Sequence, residues 1–208
     1  MTFDLKALMS RSQGQARALH EKYVNPVFSN VLDMIGFAHE YTRGQGCYLT
    51  TLDGRTIFDG LSGYGVFGMG RNHPTVRSAI EQALQMDLAN LVQMDTFVLS
   101  GLLAEKLIHK APGTRLRHVF FTNSGTEAVE GAIKFARGAT GRLRILFSQG
   151  AFHGLSTGSL ALNGDESFRE GFGELLPGAE QADWNQLETL ERELKKKNIA
   201  AVVLEPVR

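Results

Sequence analysis

Residues 118–138 change from a short apolar run to a polar turn and then to small apolar residues at helical spacing. The run at 119–121 is β-rich and uninterrupted, which is typical of a fully buried parallel strand. The apolar residues that follow lie on one face of a helix and would let it approach a sheet closely: Ala128, Ala132, Phe135, Ala136 and Ala139. We therefore predict a strand, a turn and a helix, and expect this unit to organise the chain.

The start of this helix carries a capping pattern. Ser124 followed by Glu127 forms a capping box, in which the serine oxygen accepts one free helix N–H and the glutamate reaches back to another. Further along, Glu130 and Lys134 have the i,i+4 spacing of a solvated ion pair. The polar turn is therefore expected to pass directly into the helix.

Short apolar runs predict the strands. One lies at 143–147 and another at 199–204, where Pro206 ends it. A hairpin is predicted over 47–60, because the turn signal Asp53-Gly54 separates two β-rich stretches.

Apolar residues at helical spacing predict the helices. Residues 1–35 are predicted to be mainly helical, with an interruption at Pro26. Residues 90–97 are expected to connect two helices, and 164–178 to form an exposed loop with a short helical piece. The remaining helices are predicted at 75–86, 100–110 and 185–197.

The turn before the central helix has the composition of an anion site. A helix N-terminus offers free N–H groups and a partial positive charge, and Gly125 lets an anion approach the backbone. The hydroxyls of Ser124 and Thr126 add two donors. The pattern fits a phosphate cup, and it equally fits an ordinary capped strand–helix unit without a ligand.

Residues 63–68 match the glycine fingerprint of dinucleotide-binding folds. That fingerprint requires a helix that opens at its third glycine, with an acidic residue about 20 positions further on. Asp87 has about this spacing, but residues 69–73 still read as loop, and the helix is expected to start near Pro74. Nicotinamide binding is therefore the weaker interpretation.

Residues 154–158 match the nucleophile elbow of hydrolases, with Ser156 at its centre. That fold requires a histidine after the serine. The six histidines all precede Ser156. The hydrolase interpretation therefore fails, unless a partner lies beyond this sequence.

Composition excludes several classes of protein. The 208 residues carry no net charge and have a pI near 7.0, which argues against a nucleic-acid or acidic-lipid surface. The apolar run at 199–204 is too short to span a membrane, and the N-terminus lacks an apolar signal core. Cys47 is the only cysteine, so no intrachain disulfide forms. These features fit a cytoplasmic protein, and we expect no metal site.

Residues 122–137 resemble the phosphate-binding turn and helix of class III aminotransferases of the ornithine, acetylornithine and ω-amino-acid type. These are pyridoxal 5'-phosphate (PLP) enzymes of fold type I. The resemblance implies that Ser124, Gly125 and Thr126 hold the cofactor phosphate. It also implies an α/β fold, with a small N-terminal α+β segment over 1–70, which includes the hairpin and a glycine-rich loop. The first part of a large αβα domain, with a mostly parallel sheet, follows over 71–208.

Two further motifs carry the same resemblance. An aromatic-His-Gly sequence after a strand is the family's ring-stacking position, which implies that Phe152 covers one face of the pyridine ring with His153 beside it. A Glu-Pro-Val sequence at a strand end resembles an active-site motif of the family, which implies that Glu205 faces the substrate. The family usually continues with glutamine, whereas Arg208 stands here.

PLP transamination requires a lysine that forms a Schiff base with the cofactor. None of the eight lysines lies where the family has this residue. The resemblance covers nearly the whole chain but only about half of the family's length, and Arg208 falls at a strand end. We therefore expect a truncated chain that is inactive alone.

The predicted function of the complete protein is transfer of an amino group between an amine or amino acid and a 2-oxo acid. The amine is expected to be of the ω-amino type, such as ornithine or a diamine, and the protein to be a homodimer that binds neither nucleic acid nor membrane. The alternative is a non-catalytic half of this fold that binds a phosphate ligand or a partner chain.

Overall fold

The computed structural model describes residues 3–89, 94–113, 115–183 and 185–207. The chain forms two compact units, Met1–Thr96 and Phe97–Arg208. The boundary after residue 70 came from the resemblance to the family's domains and stays a prediction. Part of the predicted connection over 90–97 lies outside the described residues, as does Arg208.

Three short helices open the first unit, as predicted for residues 1–35. They are α1 (Leu5–Arg11), α2 (Ala16–Tyr23) and α3 (Pro26–Met34). Pro26 stands in the first turn of α3, where its missing N–H costs nothing. The side chain of Asn25 caps this helix by accepting the N–H of Phe28 at 2.9 Å.

A three-stranded antiparallel sheet follows, formed by β1 (Tyr41–Gln45), β2 (Tyr48–Thr51) and β3 (Thr56–Phe58). The predicted hairpin between β2 and β3 is confirmed, but its loop is longer than two residues. The Thr51 N–H donates to the carbonyl of Arg55 at 3.0 Å, and Thr51 Oγ1 accepts the N–H of Arg55 at 3.0 Å. These bonds, with Gly54 in the left-handed region at φ +85°, stabilise the wider loop.

The glycine-rich segment after β3 forms a series of turns, and α4 (Pro74–Gln85) begins at the predicted proline. No helix opens at Gly68, so the requirement of the dinucleotide fingerprint is not met. The side chain of Asn72 instead donates to the carbonyl of Gly44 at 2.7 Å and ties the end of this segment to β1.

The second unit alternates helices and strands. The predicted helices at 100–110 and 185–197 and the predicted strands at 143–147 and 199–204 are all confirmed, with slightly different ends. The elements are α5 (Val98–Lys110), α6 (Gly125–Thr140), β4 (Arg144–Ser148), α7 (Thr157–Leu160), a short 3-10 turn (Glu166–Phe168), β5 (Ala179–Ala182), α8 (Leu187–Lys195) and β6 (Ile199–Val203).

The three strands of this unit form a parallel sheet in the order β5-β4-β6. β4 is central, and its Ile145 and Phe147 are almost completely buried. Ile133 of α6 and Leu162 complete this apolar core. The carboxyl ends of β4 and β6 therefore lie side by side, which is where open α/β sheets bind ligands.

The predicted strand at 119–121 is wrong for the part of the chain that the structure describes. Residues 115–122 form no strand, and the side chains of Phe120 and Phe121 are 66% and 44% exposed. Phe120 contacts Phe135 of α6 edge to face, with ring centroids 5.2 Å apart. A strand requires a hydrogen-bonded neighbour, and none of the described strands pairs with this segment.

Candidate functional site

The N-terminus of α6 is built as the capping pattern predicted. Ser124 has an extended backbone, and its Oγ accepts the N–H of Glu127 at 3.1 Å. The Glu127 carboxylate turns back and accepts the N–H of Asn123 at 2.6 Å, one residue before the cap. The cap fixes the first turn of α6 and binds the carboxylate of Glu127 to the backbone of Asn123.

The first turn of α6 leaves donors free. Within the described ranges, the N–H groups of Gly125 and Thr126 have no hydrogen-bond partner. Apart from its two chain neighbours and the backbone of its own helix, no atom lies within 4 Å of the position where a Cβ of Gly125 would stand, so a ligand can approach this backbone. Sixteen aligned peptide dipoles give this helix end a partial positive charge. Two free amides and two hydroxyl-bearing side chains thus stand together at the start of α6, where a helix can bind an anion.

The segment that follows β4 is held by side chains from other elements. The N–H of Phe152 donates to Oε1 of Glu205 at 3.3 Å, and the N–H of His153 donates to Oδ1 of Asn163 at 2.7 Å. Asn163 is fully buried and also donates from Nδ2 to the carbonyl of Gly154 at 2.9 Å. These bonds fix the backbone of residues 152–154, and the fixed backbone limits the directions that the Phe152 side chain can take.

The ring of Phe152 is available to a ligand. It is 48% exposed and rests against Phe168, with ring centroids 5.4 Å apart and an interplanar angle of 65°. A half-exposed ring supported on one side can stack with a second aromatic ring.

His153 lies in a different environment from Phe152. Its Nε2 is buried and has no hydrogen-bond partner in the described structure. Burial lowers the pKa of His153 below its ordinary value of 6.5, and the negative charge of Glu205 opposes part of this shift. A pKa below 6.5 keeps the imidazole mainly neutral at pH 7, and its buried Nε2 carries no hydrogen bond.

The loop after β4 and the N-terminus of α6 are in contact. Gly154 has φ +128°, and a Cβ at this position would lie 2.5 Å from Oγ1 of Thr126. The cup formed by Ser124, Gly125 and Thr126 therefore touches the loop that carries Phe152 and His153, which in turn binds Glu205. The structure thus brings all six predicted site residues to one end of the parallel sheet.

One interpretation of a sequence pattern is corrected here, and the rejection of another is supported. Glu130 does not pair with Lys134; its carboxylate accepts the N–H of Ser159 at 2.8 Å and the hydroxyl of Ser156. Ser156 therefore donates to a carboxylate, not to a histidine, which rules out the nucleophile elbow in the described chain. The glycines and the serine at 154–158 instead reflect close contact between this segment and α6.

Sequence reasoning missed Asn163. A polar residue in an otherwise apolar stretch, Leu160 to Leu162, was the available signal, because a buried amide is retained only where it is hydrogen-bonded.

Two kinds of feature are not found in the described ranges. No group of three or more histidine, cysteine, aspartate or glutamate residues is placed to hold a metal ion. No described helix combines the length and the apolar character needed to cross a membrane.

Known proteins resemble this chain over most of its length. The family model for class-III aminotransferases matches residues 33–208. Aminotransferase PigE of a Serratia species is 33% identical over 190 residues, which are 91% of this chain and 22% of that protein. Putrescine aminotransferase of Pectobacterium atrosepticum is 32% identical over 202 residues, which are 90% of this chain and 42% of that protein.

A comparison with solved structures identifies the fold. Taurine:2-oxoglutarate aminotransferase from Bifidobacterium kashiwanohense, determined with PLP and glutamate, superposes with a TM-score of 0.79 at 23% identity. The match covers 92% of this chain and 47% of that structure, so the chain spans less than half the length of these relatives. The fold is therefore part of PLP fold type I, and the chain belongs to the class-III aminotransferase family.

Proposed function

We propose that this chain forms the phosphate- and ring-binding part of a PLP-dependent aminotransferase. One observation carries the proposal: the open, donor-rich end of α6 touches the loop that presents the half-exposed ring of Phe152. In this proposal Ser124, Gly125 and Thr126 hold the cofactor phosphate. Phe152 stacks on the pyridine ring, and His153 lies beside it.

The donor set of the cup fits a phosphate monoester. A phosphate dianion is bound by several N–H or O–H donors, and Glu127, the acidic residue in the first turn, is already bound to the N–H of Asn123. Bound PLP supplies an electron sink that stabilises negative charge on the carbon next to the amino group. The protein's part is to hold the phosphate at α6 and to keep the ring flat against Phe152.

Glu205 is proposed to face the substrate. It is half-buried at the end of β6, and one of its oxygens accepts the N–H of Phe152. Its second oxygen can bind an ammonium group near the ring, because a carboxylate in a partly dry site attracts a cation strongly. His153 lies close enough for the charge of Glu205 to act on its imidazole, so the two residues belong to one part of the proposed site.

The substrates are proposed to be an ω-amino compound, such as ornithine or a diamine, and a 2-oxo acid. The similarity to a putrescine aminotransferase supports this choice. We also propose that the protein is a homodimer, on the basis of the family resemblance. We propose a cytoplasmic location as well, which the single cysteine of the chain suits.

The test uses the native gene product that contains this chain, at its native length. Amino transfer from ornithine and putrescine to 2-oxoglutarate is measured, together with binding of pyridoxamine 5'-phosphate, a probe that requires no lysine. We expect turnover and tight binding in the wild type. Phe152→Ala should weaken binding of the probe about tenfold, since an aromatic contact contributes roughly 0.5–1.5 kcal/mol beyond its buried area.

Phe172→Ala is the matched control, because Phe172 is 68% exposed and lies outside the proposed site. It should bind the probe like the wild type. Equal weakening in both variants, or no binding by the wild type, would contradict the proposal.

A second candidate function is a non-catalytic module that binds a phosphate ligand. It is favoured by the free donors at the start of α6, which can bind a phosphate without any catalytic group. Probe binding without amino transfer by the native gene product would support this module. Amino transfer by that protein would exclude it.

A further inference from the structure

Glu130 makes an unusual set of contacts for a half-buried acidic residue of a helix. Its carboxylate accepts the hydroxyl of Ser156 and, at 2.8 Å, the backbone N–H of Ser159. The hydroxyl of Ser159 lies 3.1 Å from that of Ser156 and completes a small network. The carboxylate thus binds residues 154–159 from the side of α6. These residues comprise the end of the segment after β4 and the first three residues of α7, and are called the loop 154–159 below.

The same face of α6 contacts the loop at a second point. Thr126 precedes Glu130 by four residues, so both side chains lie on one face of the helix. Thr126 lies against Gly154, and Glu130 lies against Gly158, where an added Cβ would overlap its carboxylate. Two glycines, four residues apart, therefore allow the loop to lie directly on the helix at both points.

Neither interpretation derived from the sequence explains these contacts. A solvated pair with Lys134 would leave the carboxylate of Glu130 directed along the helix surface, and no such ion pair is found in the described residues. A nucleophilic Ser156 would need a histidine as its base, with a carboxylate to orient that histidine. A link between helix and loop accounts for both the carboxylate and the glycines.

We propose that Glu130 is a positioning residue that sets the angle between the phosphate cup and the ring-stacking residue. The cup stands at the start of α6, and Phe152 stands two residues before the loop that Glu130 holds. If this link is lost, the phosphate can still bind, but the ring of Phe152 is no longer held at one angle. The inference rests on the proposed function, because it assumes that one ligand touches both the cup and Phe152.

The test compares two ligands, pyridoxamine 5'-phosphate and inorganic phosphate, on the native gene product. Glu130→Gln keeps the size of the side chain and removes its charge, and Ser156→Ala removes one of its donors. Lys134→Gln is the control, because it changes charge on the same helix without touching the link. Affinity is measured by titration, and the circular dichroism of the bound pyridine ring reports its orientation.

We expect pyridoxamine 5'-phosphate to bind about tenfold more weakly to Glu130→Gln, the effect of losing one hydrogen bond to a charged group. Its ring dichroism should also decrease. Inorganic phosphate should bind within about twofold of the wild type, because the cup itself is unchanged. Ser156→Ala should show the same pattern to a smaller degree, and it provides the test if Glu130→Gln does not fold.

Two results overturn separate statements. If the wild type binds no pyridoxamine 5'-phosphate, the proposed function fails and takes this inference with it. If the wild type binds it and Glu130→Gln and Ser156→Ala show wild-type affinity and dichroism, the proposed function stands and the positioning role of Glu130 is wrong. A parallel loss of phosphate affinity would also overturn it, because the residue would then support the cup and not the angle.

Discussion

His153 shows how one side chain can combine structure and chemistry. Its backbone is fixed by Asn163, while its ring nitrogen Nε2 is buried without a partner. An orphaned polar atom costs free energy, and such costs are often retained at functional sites. The arrangement was only partly predictable: the aromatic-His-Gly motif indicated a ligand site, but nothing in the sequence indicated that burial would keep the imidazole neutral.

His153 should make the stability of the protein depend on pH. Burial lowers its pKa in the folded state below 6.5, so the unfolded chain binds a proton more readily than the folded one. Stability linked to this group is therefore present above pH 6.5 and falls as pH falls toward the lowered pKa. We measure the free energy of unfolding in urea at several pH values below 6.5. As the pH is lowered, it should fall less steeply in His153→Gln than in the wild type.

His118→Gln serves as the control for this measurement, because His118 is exposed. It should keep the wild-type dependence on pH. An unchanged slope in His153→Gln would show that this imidazole does not control stability in the window.

At the scale of elements, apolar runs were a reliable guide only where a partner strand exists. β4 and β6 were predicted from their apolar runs. Both predictions are confirmed, because each strand has a partner in the parallel sheet. β5 was missed because its central residues, Glu180 and Gln181, are polar and gave no strand signal. The apolar run at 119–121 gave a signal but has no strand beside it, since pairing depends on residues distant in sequence.

Arg144 explains why a polar strand is stable at the edge of this sheet. Its guanidinium donates to both oxygens of Glu180 at 2.7 and 2.6 Å, and to Glu193 of α8 at 2.9 Å. These bonds join β4, β5 and α8. Arg144 lowers the pKa of Glu180, and Lys196 and then Arg144 lower the pKa of Glu193.

Arg144→Met should therefore destabilise the second unit and change its response to acid. The carboxylates of Glu180 and Glu193 have lowered pKa values in the folded state, so their contribution is present above pH 4.5 and is lost as pH falls through those values. We expect Tm at neutral pH to fall by a few degrees. The acid-induced fall in Tm should be smaller than in the wild type.

Scanning calorimetry at several pH values measures both effects. Arg117→Met, an exposed arginine of the same unit, is the control and should leave Tm close to the wild-type value. A Tm of Arg144→Met that equals the wild-type value throughout would show that the network contributes nothing to stability.

At the scale of the whole molecule, the parallel sheet has a small apolar core. Ile133, Ile145, Phe147 and Leu162 form it, and many other large apolar side chains of the chain are exposed. The family could be predicted from motifs, because those depend on local sequence, whereas the assignment of the site residues stays a prediction. The size of the core could not, since it depends on which strands pair.

Leu162→Ala should destabilise the second unit by about 2–5 kcal/mol, because Leu162 is fully buried in this small core. Denaturant unfolding followed by far-ultraviolet circular dichroism measures the change. Leu155→Ala, at a side chain that is 62% exposed, should change stability by no more than about 0.5 kcal/mol. Equal effects in the two variants would show that Leu162 is not part of the core that holds the sheet.

The two glycines that lie against α6 also indicate where this loop can be redesigned. Gly154 and Gly158 cannot accept a methyl group without displacing a side chain of α6, so they should stay fixed in any library of variants. Leu155 and Thr157 lie between them and are exposed. Diversity introduced at these two positions would alter the outer surface of the loop while the glycines keep its inner surface on the helix, which makes them suitable starting points for directed evolution.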